Sequence, residues 1–220
     1  MKELKFRITF TEDLLGSSSN DPHLHENYIA SKAPDAWSTA EEVEALGIDA
    51  VVENGKTIFP KDTDGTPIFW DYQIKGYFKE SCKALSKVPG TLSSKLKAYK
   101  QQIDLRIFPA PRRIRITETG KRYDLQRPLR ASTPMGERIA LANSETIRAG
   151  ASIEFTVRML VDTDADLVRE WLDYGALHGM GQWRNAGYGR SALHCRPDPQ
   201  RHPRHRWRHL YRDGVLLLQF

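Results

Sequence analysis

The sequence has few cysteines and no long hydrophobic run, and each absence excludes a class of protein. Its 220 residues include two cysteines, Cys82 and Cys195, which lie far apart and lack the paired spacing of metal ligands. Thiols of this kind are more typical of reduced bystanders than of a disulfide framework. No apolar run approaches the roughly eighteen residues of a membrane span, and the first residues contain no signal-peptide core. We therefore expect a cytoplasmic protein that contacts no membrane.

Known phosphate-loop patterns are also missing, although one segment is rich in glycine. Five of the fifteen glycines lie within residues 174–190, interleaved with Trp183, Arg184, Tyr188 and Arg190. No Gly-Lys-Ser/Thr follows them, and the third glycine of a dinucleotide-binding fingerprint is absent. Glycine N–H groups can converge on an anion, arginine supplies a planar fork for phosphate, and aromatic faces stack on bases. Two interpretations fit this segment: a nucleic-acid-binding loop, or a tight structural turn packed by its aromatic side chains.

The charge distribution favours a polyanionic partner. The net charge is +5, and the first seventy residues lean acidic. Positive charge gathers in residues 75–100, 112–115 and 122–138, and again after residue 184. Basic clusters with interleaved aromatic residues are typical of nucleic-acid-binding proteins, although a solvated basic face has the same composition.

Hydrophobic periodicity predicts both strands and helices. Alternation over residues 2–11 predicts a half-buried strand, and helical spacing predicts helices over residues 70–85 and 164–174. Asn54-Gly55 favours a hairpin over residues 50–59. The further predictions are helical segments at 27–32, 38–47 and 93–102, strands at 112–117, 138–142 and 152–160, and a strand starting near Tyr188.

This order of elements predicts an α+β fold with a ferredoxin-like, RRM-like antiparallel sheet, helices on one face and inserted loops. We expect one domain over residues 1–192, with an insertion at about 17–65 and the glycine-rich loop near its C-terminal end. Residues 193–220 are rich in Arg, Pro and His. They fit either a basic arm or an atypical terminus, and we expect disorder or at most a short strand at 214–220.

Several segments together resemble the repeat-associated mysterious protein superfamily of CRISPR effector complexes. The first is Ile8 to Gly16, a strand that runs into a glycine-containing loop, and the second is Gly65 to Lys79, which enters a helix through Lys75-Gly76. Ala142 to Val157 is similar to the family's Ala-Gly turn and following strand, and Gly187-Tyr188-Gly189-Arg190 to the end of its glycine-rich signature. The family usually has Ser-Leu-Lys-Gly where this chain has Tyr72-Gln73-Ile74-Lys75-Gly76.

The resemblance is strongest to the backbone subunits that coat guide RNA, and it implies that Lys75 contacts guide phosphates. It further implies RNA, guide or target, and other subunits of a multi-protein effector complex as partners, with copies of the chain in a filament as one arrangement. The predicted RNA-binding residues are Lys75, Gly76, Lys79, Arg112, Arg113, Arg127, His178, Gly179, Gly181, Trp183, Arg184, Asn185, Gly187, Tyr188 and Arg190.

Catalysis is a second hypothesis, because some members of the superfamily cleave RNA. Asp35 and His25 are the best candidates here, since a carboxylate can orient a ribose hydroxyl and a neutral histidine can act as a general base. We prefer RNA binding without catalysis and expect no cofactor, with Mg²⁺ required only by a nuclease. A third hypothesis is a phage or mobile-element protein that acts by protein–protein contact, as an anti-CRISPR or a mimic of an effector subunit.

Overall fold

The computed structural model describes residues 1–19, 55–133 and 136–194. The predicted helical segments at 27–32 and 38–47, the first half of the 50–59 hairpin and the tail after residue 194 lie outside these residues. So do the two candidate catalytic residues, Asp35 and His25.

Eleven strands and three α-helices are present in the described part of the chain. The strands are β1 (Lys2–Phe10), β2 (Leu14–Leu15), β3 (Ser18–Ser19), β4 (Thr57–Ile58), β5 (Ile68–Trp70), β6 (Ile107–Ala110), β7 (Arg113–Thr117), β8 (Tyr123–Thr133), β9 (Gly136–Ile147), β10 (Ser152–Met159) and β11 (Ser191–His194). The helices are α1 (Asp71–Leu85), α2 (Tyr99–Arg106) and α3 (Asp164–Asp173), and short 3₁₀ turns cover Ser93–Lys95, Tyr174–Ala176 and Arg184–Ala186. None of these helices is long and apolar enough to cross a membrane.

The main sheet has the order β11-β1-β10-β7-β5, with β6 also paired to β10, and all its pairs are antiparallel. Along the chain, β1 leads through α1 to β6 and β7, β10 follows, and α3 then leads to β11. Numbered by this path, the strands lie in the order 4-1-3-2, which is that of a ferredoxin-like βαββαβ unit. The predicted α+β, ferredoxin-like class is therefore confirmed.

The core lies between one face of this sheet and the helices. Phe6, Ile8 and Phe10 of β1 are buried against Phe155 of β10 and against Trp171 of α3, which is fully buried. Alternation along β1 and β10 places their charged residues on the opposite face, where Glu3 pairs with Arg158 and Lys5 with Glu154. Helices therefore cover one face of the sheet, as predicted, and the other face is polar.

A second, smaller sheet lies beside the first and was not predicted as a unit. Its order is β2-β9-β4-β3, and β8 pairs over its whole length with β9, from Tyr123 opposite Thr146 to Thr133 opposite Gly136. β2 and β4 join β9 only at residues 144–147. The strand predicted at 138–142 is thus the middle of a much longer one.

Two other predicted elements have different bounds in the structure. The helix expected over 93–102 divides into a 3₁₀ turn at Ser93–Lys95 and α2, because Leu96 is extended and Ala98 has a φ of 48°. The last strand begins at Ser191 and not near Tyr188, because the preceding residues fold back on the loop at residues 179 and 180.

Candidate nucleic-acid interface

Residues 174–190, called the glycine loop below, lie at the end of the main sheet where β1 finishes. The Thr11 amide donates to the Arg190 carbonyl at 2.8 Å, and the Met180 amide donates to the Gly189 carbonyl at 2.9 Å. The loop is therefore fixed both to the segment after β1 and to itself. Because β11 begins directly after it and pairs with β1, the sheet determines where the loop stands.

The glycines of the loop allow its backbone to pack closely against neighbouring backbone. A Cβ atom at Gly179 would lie 2.1 Å from the Tyr188 carbonyl oxygen, and one at Gly189 would lie 2.0 Å from the Met180 carbonyl oxygen. Gly181 has a φ of +82°, and a Cβ there would lie 2.8 Å from the Leu15 carbonyl oxygen. These three glycines have a structural function, since no other residue fits without moving the backbone.

Asp13, which we did not single out as a site residue, connects the glycine loop to two other segments. Its carbonyl oxygen accepts the Gly189 amide at 2.8 Å, and its carboxylate accepts the Ala149 amide at 2.7 Å and the Tyr123 hydroxyl at 2.6 Å. Burial of Tyr123 and the hydrogen bond between its hydroxyl and the Asp13 carboxylate raise the pKa of Tyr123 to about 12. The loop, the start of β8 and the turn between β9 and β10 are thereby held together.

Trp183 stands at the surface of the loop in a conformation that tryptophan rarely adopts. Its φ is 55°, in the left-handed region, and the residue is 37% exposed. The Tyr188 ring lies 6.0 Å from it, measured between centroids. Non-glycine residues in this region are strained by about 1–3 kcal/mol and are concentrated at functional sites. The two rings form an exposed aromatic surface, which we call the Trp183 platform.

Arg127 of β8 lies directly beneath this platform. Its guanidinium carbon is 4.1 Å from the centre of the Trp183 ring, and the residue is only 6% exposed. Its Nη1 donates to Ser144 Oγ and its Nη2 to Gln182 Oε1, both at 3.1 Å. Among the described residues no carboxylate pairs with it, and its Nε–H lacks an acceptor. Burial lowers the pKa of Arg127, because the charged form has lost solvent.

Two other predicted residues of the loop share one carboxylate on α1. Arg184 Nη2 lies 3.0 Å from Glu80 Oε2, and His178 Nε2 lies 3.3 Å from Glu80 Oε1. The Tyr174 ring stacks on His178 at 5.7 Å. Glu80 thus fastens the loop to α1, and it partly neutralises Arg184, a cation that we expected to face RNA.

Arg190 and Asn185 are the exposed polar residues of the loop. The Arg190 guanidinium lies over Gly187, where an added Cβ would be 3.5 Å from its central carbon. Gly187 has a φ of +97°, which favours glycine for a second reason. No ion pair joins Arg190 to any residue in the described ranges, so its charge faces solvent.

Arg112 and Arg113 lie at the β5 edge of the sheet, where each already has an acidic partner. Arg112 bonds Asp71 at 2.8 Å and Arg113 bonds Asp62 at 2.9 Å. The guanidinium carbons of Arg112 and Arg113 lie 5.7 and 5.8 Å, respectively, from the centre of the Trp70 ring. Asp62 also pairs with Arg115, a neighbouring arginine of β7.

Lys75 and Lys79 lie on a different side of α1 from Glu80. Lys79 pairs with Asp104 at 2.6 Å, and Lys75 donates to the Asp104 carbonyl at 3.3 Å with its ammonium 4.6 Å from the Phe108 ring. Burial lowers the pKa of Lys75. Gly76 is exposed, with nothing within 4 Å of an added Cβ. Their contacts are with α2 and β6, whereas the glycine loop contacts α1 through Glu80, so the predicted RNA-binding residues form at least two separate groups.

Within the described ranges, no group of three or more His, Cys, Asp and Glu side chains is arranged to hold a metal ion.

Sequence reasoning found the glycine loop from its composition and named Arg127 as one of several basic residues. It missed Asp13 and the polar residues around Arg127, namely Thr57, Ser144 and Gln182. Those residues are ordinary in sequence, and only pairing between distant segments gives them a common location.

The fold resembles that of one chain in a complex bound to target RNA. A chain in the cryo-EM structure of the type III-B Cmr-beta bound to cognate target RNA superposes with a TM-score of 0.51 at 10% identity. The match covers 88% of this chain and 58% of that one, so the chain spans little more than half of its length. At this identity the likeness concerns the fold alone, and for the fold it confirms the resemblance that the sequence predicts.

Two further solved structures match less closely. A chain of the type IV-B CRISPR complex has a TM-score of 0.44 at 12% identity, covering 96% of this chain and 100% of that one. Cmr6 from Pyrococcus furiosus has a TM-score of 0.39 at 12% identity, covering 88% and 98%. No protein-family model and no curated protein matches the sequence.

Proposed function

We propose that the chain binds RNA as a subunit of a CRISPR effector complex, with the glycine loop as its contact to the sugar-phosphate backbone. The observation that carries this proposal is the Trp183 platform, a strained and exposed aromatic surface with a guanidinium beneath it and another, Arg190, beside it in the same loop. Aromatic faces stack on bases at about 1–3 kcal/mol each without regard to sequence. Such a surface suits a protein that holds a strand of any sequence.

The ion pairs of the other basic residues are compatible with phosphate binding. Arg184, Arg112 and Arg113 keep much of their side chains in solvent although each touches a carboxylate. Exposed pairs of this kind contribute about 0–1 kcal/mol. A charge-assisted hydrogen bond from arginine to phosphate is stronger than an exposed ion pair. RNA phosphates can therefore replace Glu80, Asp71 and Asp62 as partners of these arginines at a small cost in free energy.

Binding of a fluorescein-labelled single-stranded RNA, measured by anisotropy over a range of KCl concentrations, tests the proposal. We expect affinity to fall linearly on logarithmic axes, with a slope of about −0.7 for each phosphate neutralised. Arg190→Ala removes one cation and is expected to reduce that slope by about 0.7. Trp183→Ala is expected to weaken binding by about 1–3 kcal/mol at every salt concentration.

Lys97→Ala is the matched control, because Lys97 is exposed, carries the same charge and belongs to the segment before α2. If Arg190→Ala and Lys97→Ala change the slope equally, the effect is one of net charge and the glycine loop is not the contact. If the wild-type protein binds no RNA but binds a purified effector subunit, the protein–protein hypothesis replaces this one.

The nuclease hypothesis has a separate test, since Asp35 and His25 lie outside the described residues. Incubation of the same RNA with and without Mg²⁺ is expected to leave it intact. Cleavage that disappears in both Asp35→Asn and His25→Ala would instead identify an endoribonuclease.

A further inference from the structure

The buried guanidinium of Arg127 stands in a cluster of neutral polar groups. Thr57 Oγ1 lies 2.7 Å from Ser144 Oγ, and Gln182 Oε1 accepts from Arg127 at 3.1 Å and lies 3.3 Å from Thr57 Oγ1. These residues come from β4, β9 and the glycine loop, and β8 supplies the arginine. Four separate segments therefore converge on one positive charge.

This charge has no counter-ion in the part of the chain that the structure describes. Its contacts are a hydroxyl, an amide oxygen and an aromatic face, and no described residue accepts a hydrogen bond from its Nε–H. An ion withdrawn from water without a partner of opposite charge costs several kcal/mol. A cation–π contact offsets only about 2 kcal/mol of such a cost. An anion at this position would neutralise the charge and accept a hydrogen bond from the free Nε–H.

The donors around Arg127 suit an anion with several acceptor oxygens. The guanidinium offers its Nε–H, and Gln182, which turns its oxygen to Arg127, retains its NH₂ group. Thr57 and Ser144 share one hydrogen bond between their hydroxyls, so the hydroxyl that accepts it can turn its own hydrogen to an anion. We propose that this cluster, which we call the Arg127 site, binds a single phosphate group of the RNA backbone beneath the Trp183 ring. The inference rests on the proposed RNA-binding function and specifies one contact of that surface.

Two consequences follow from the burial of the site. A phosphate held there touches no base edge, so the contact is independent of RNA sequence. Because the Trp183 ring lies 4.1 Å from the guanidinium carbon, an anion bound to Arg127 changes the electrostatic surroundings of the ring. Trp183 fluorescence therefore reports occupancy directly.

Titration of the intact protein with inorganic phosphate, in the absence of RNA, tests the inference. We expect a saturable change in tryptophan emission together with a rise in melting temperature, and no such change with chloride at matched ionic strength. Arg127→Gln is expected to abolish both responses and to weaken RNA binding about tenfold. Arg127→Lys, which keeps the charge but lacks the planar fork, is expected to weaken phosphate binding less.

Trp183→Phe and Lys97→Ala serve as controls. Trp183→Phe removes the reporting ring and is expected to lose the emission change, and Lys97→Ala is expected to keep both responses. If Arg127→Gln and Arg127→Lys respond to phosphate as the wild type does, the ion binds elsewhere and the inference is wrong. An equal response to acetate would also overturn it, since that favours a carboxylate from a protein partner. Normal RNA binding with no phosphate response would overturn this inference alone and leave the proposed function standing.

Discussion

Substitution of alanine for Gly179 is expected to destabilise the protein strongly. The added Cβ would lie 2.1 Å from the Tyr188 oxygen, 2.3 Å from the Gly189 carbonyl carbon and 2.6 Å from the Arg190 nitrogen. All three atoms belong to the backbone, so no side-chain rotation relieves the contact. Overpacking of this kind costs about 1–3 kcal/mol, and the backbone contacts place Gly179→Ala near the upper value. For a chain of this size each kcal/mol lowers the melting temperature by about 2–4 °C, so a fall of about 6–12 °C is expected.

Gly76→Ala is the matched comparison, because it adds the same methyl group where nothing lies within 4 Å. Gly76 is an interior residue of α1, where alanine is favoured over glycine by about 0.5–1 kcal/mol. The variant is therefore expected to melt about 1–4 °C higher than the wild type. Thermal and urea unfolding followed by circular dichroism measure both effects. If Gly179→Ala unfolds at the wild-type temperature, the loop does not pack as described and the argument for the interface is refuted.

Three further outcomes can be measured on the same protein. Tyr77→Phe removes a buried 2.9 Å hydrogen bond to a backbone carbonyl of α3 and is expected to cost about 0.5–1.5 kcal/mol in urea unfolding. Burial raises the pKa of the Cys82 thiol, so in a Cys195→Ser background Cys82 is expected to react with a disulfide reagent at pH 8 only after unfolding. The pKa of Tyr123, raised to about 12 by burial and Asp13, means that the folded state binds this proton more tightly than the unfolded state, where the pKa is about 10. Its contribution to the free energy of unfolding is complete below pH 10 and is lost as the pH rises to 12. In urea unfolding at several pH values, Tyr123→Phe is expected to lose less stability than the wild type between pH 10 and 12. An equal loss of stability in the variant would contradict the role of Tyr123.

The parts of the fold that sequence predicted are those with strong local periodicity. β1 alternates over its whole length, and α1 and α3 each bury one helical face, so their bounds differ from the predictions by a residue or so. β8 was missed because it is polar and contains Pro128, which is unfavourable in a strand with two neighbours. Among the described strands β8 pairs with β9 alone, and this edge position accommodates the proline.

The candidate interface was predictable in composition but not in geometry. Glycine, arginine and aromatic residues in one segment identified the glycine loop correctly as a distinctive feature. The contacts of that loop join residues more than a hundred positions apart, such as Asp13 with Gly189, and no local pattern encodes them. Arg127 and Arg113 are alike in sequence, yet among the described residues Arg127 is buried with no carboxylate partner and Arg113 is paired at the surface. That difference arises only from packing.

The backbone bonds of Thr11 and Asp13 to the glycine loop have an entropic consequence. Ordering one residue of a flexible loop costs about 1–2 kcal/mol of free energy at room temperature. When a loop folds only on binding, this cost reduces the binding free energy and therefore the affinity. Here the shape of the loop is established as the domain folds, through carbonyls and amides of a neighbouring segment. A preorganised surface of this kind retains more of its contact energy as affinity when a flexible strand settles onto it.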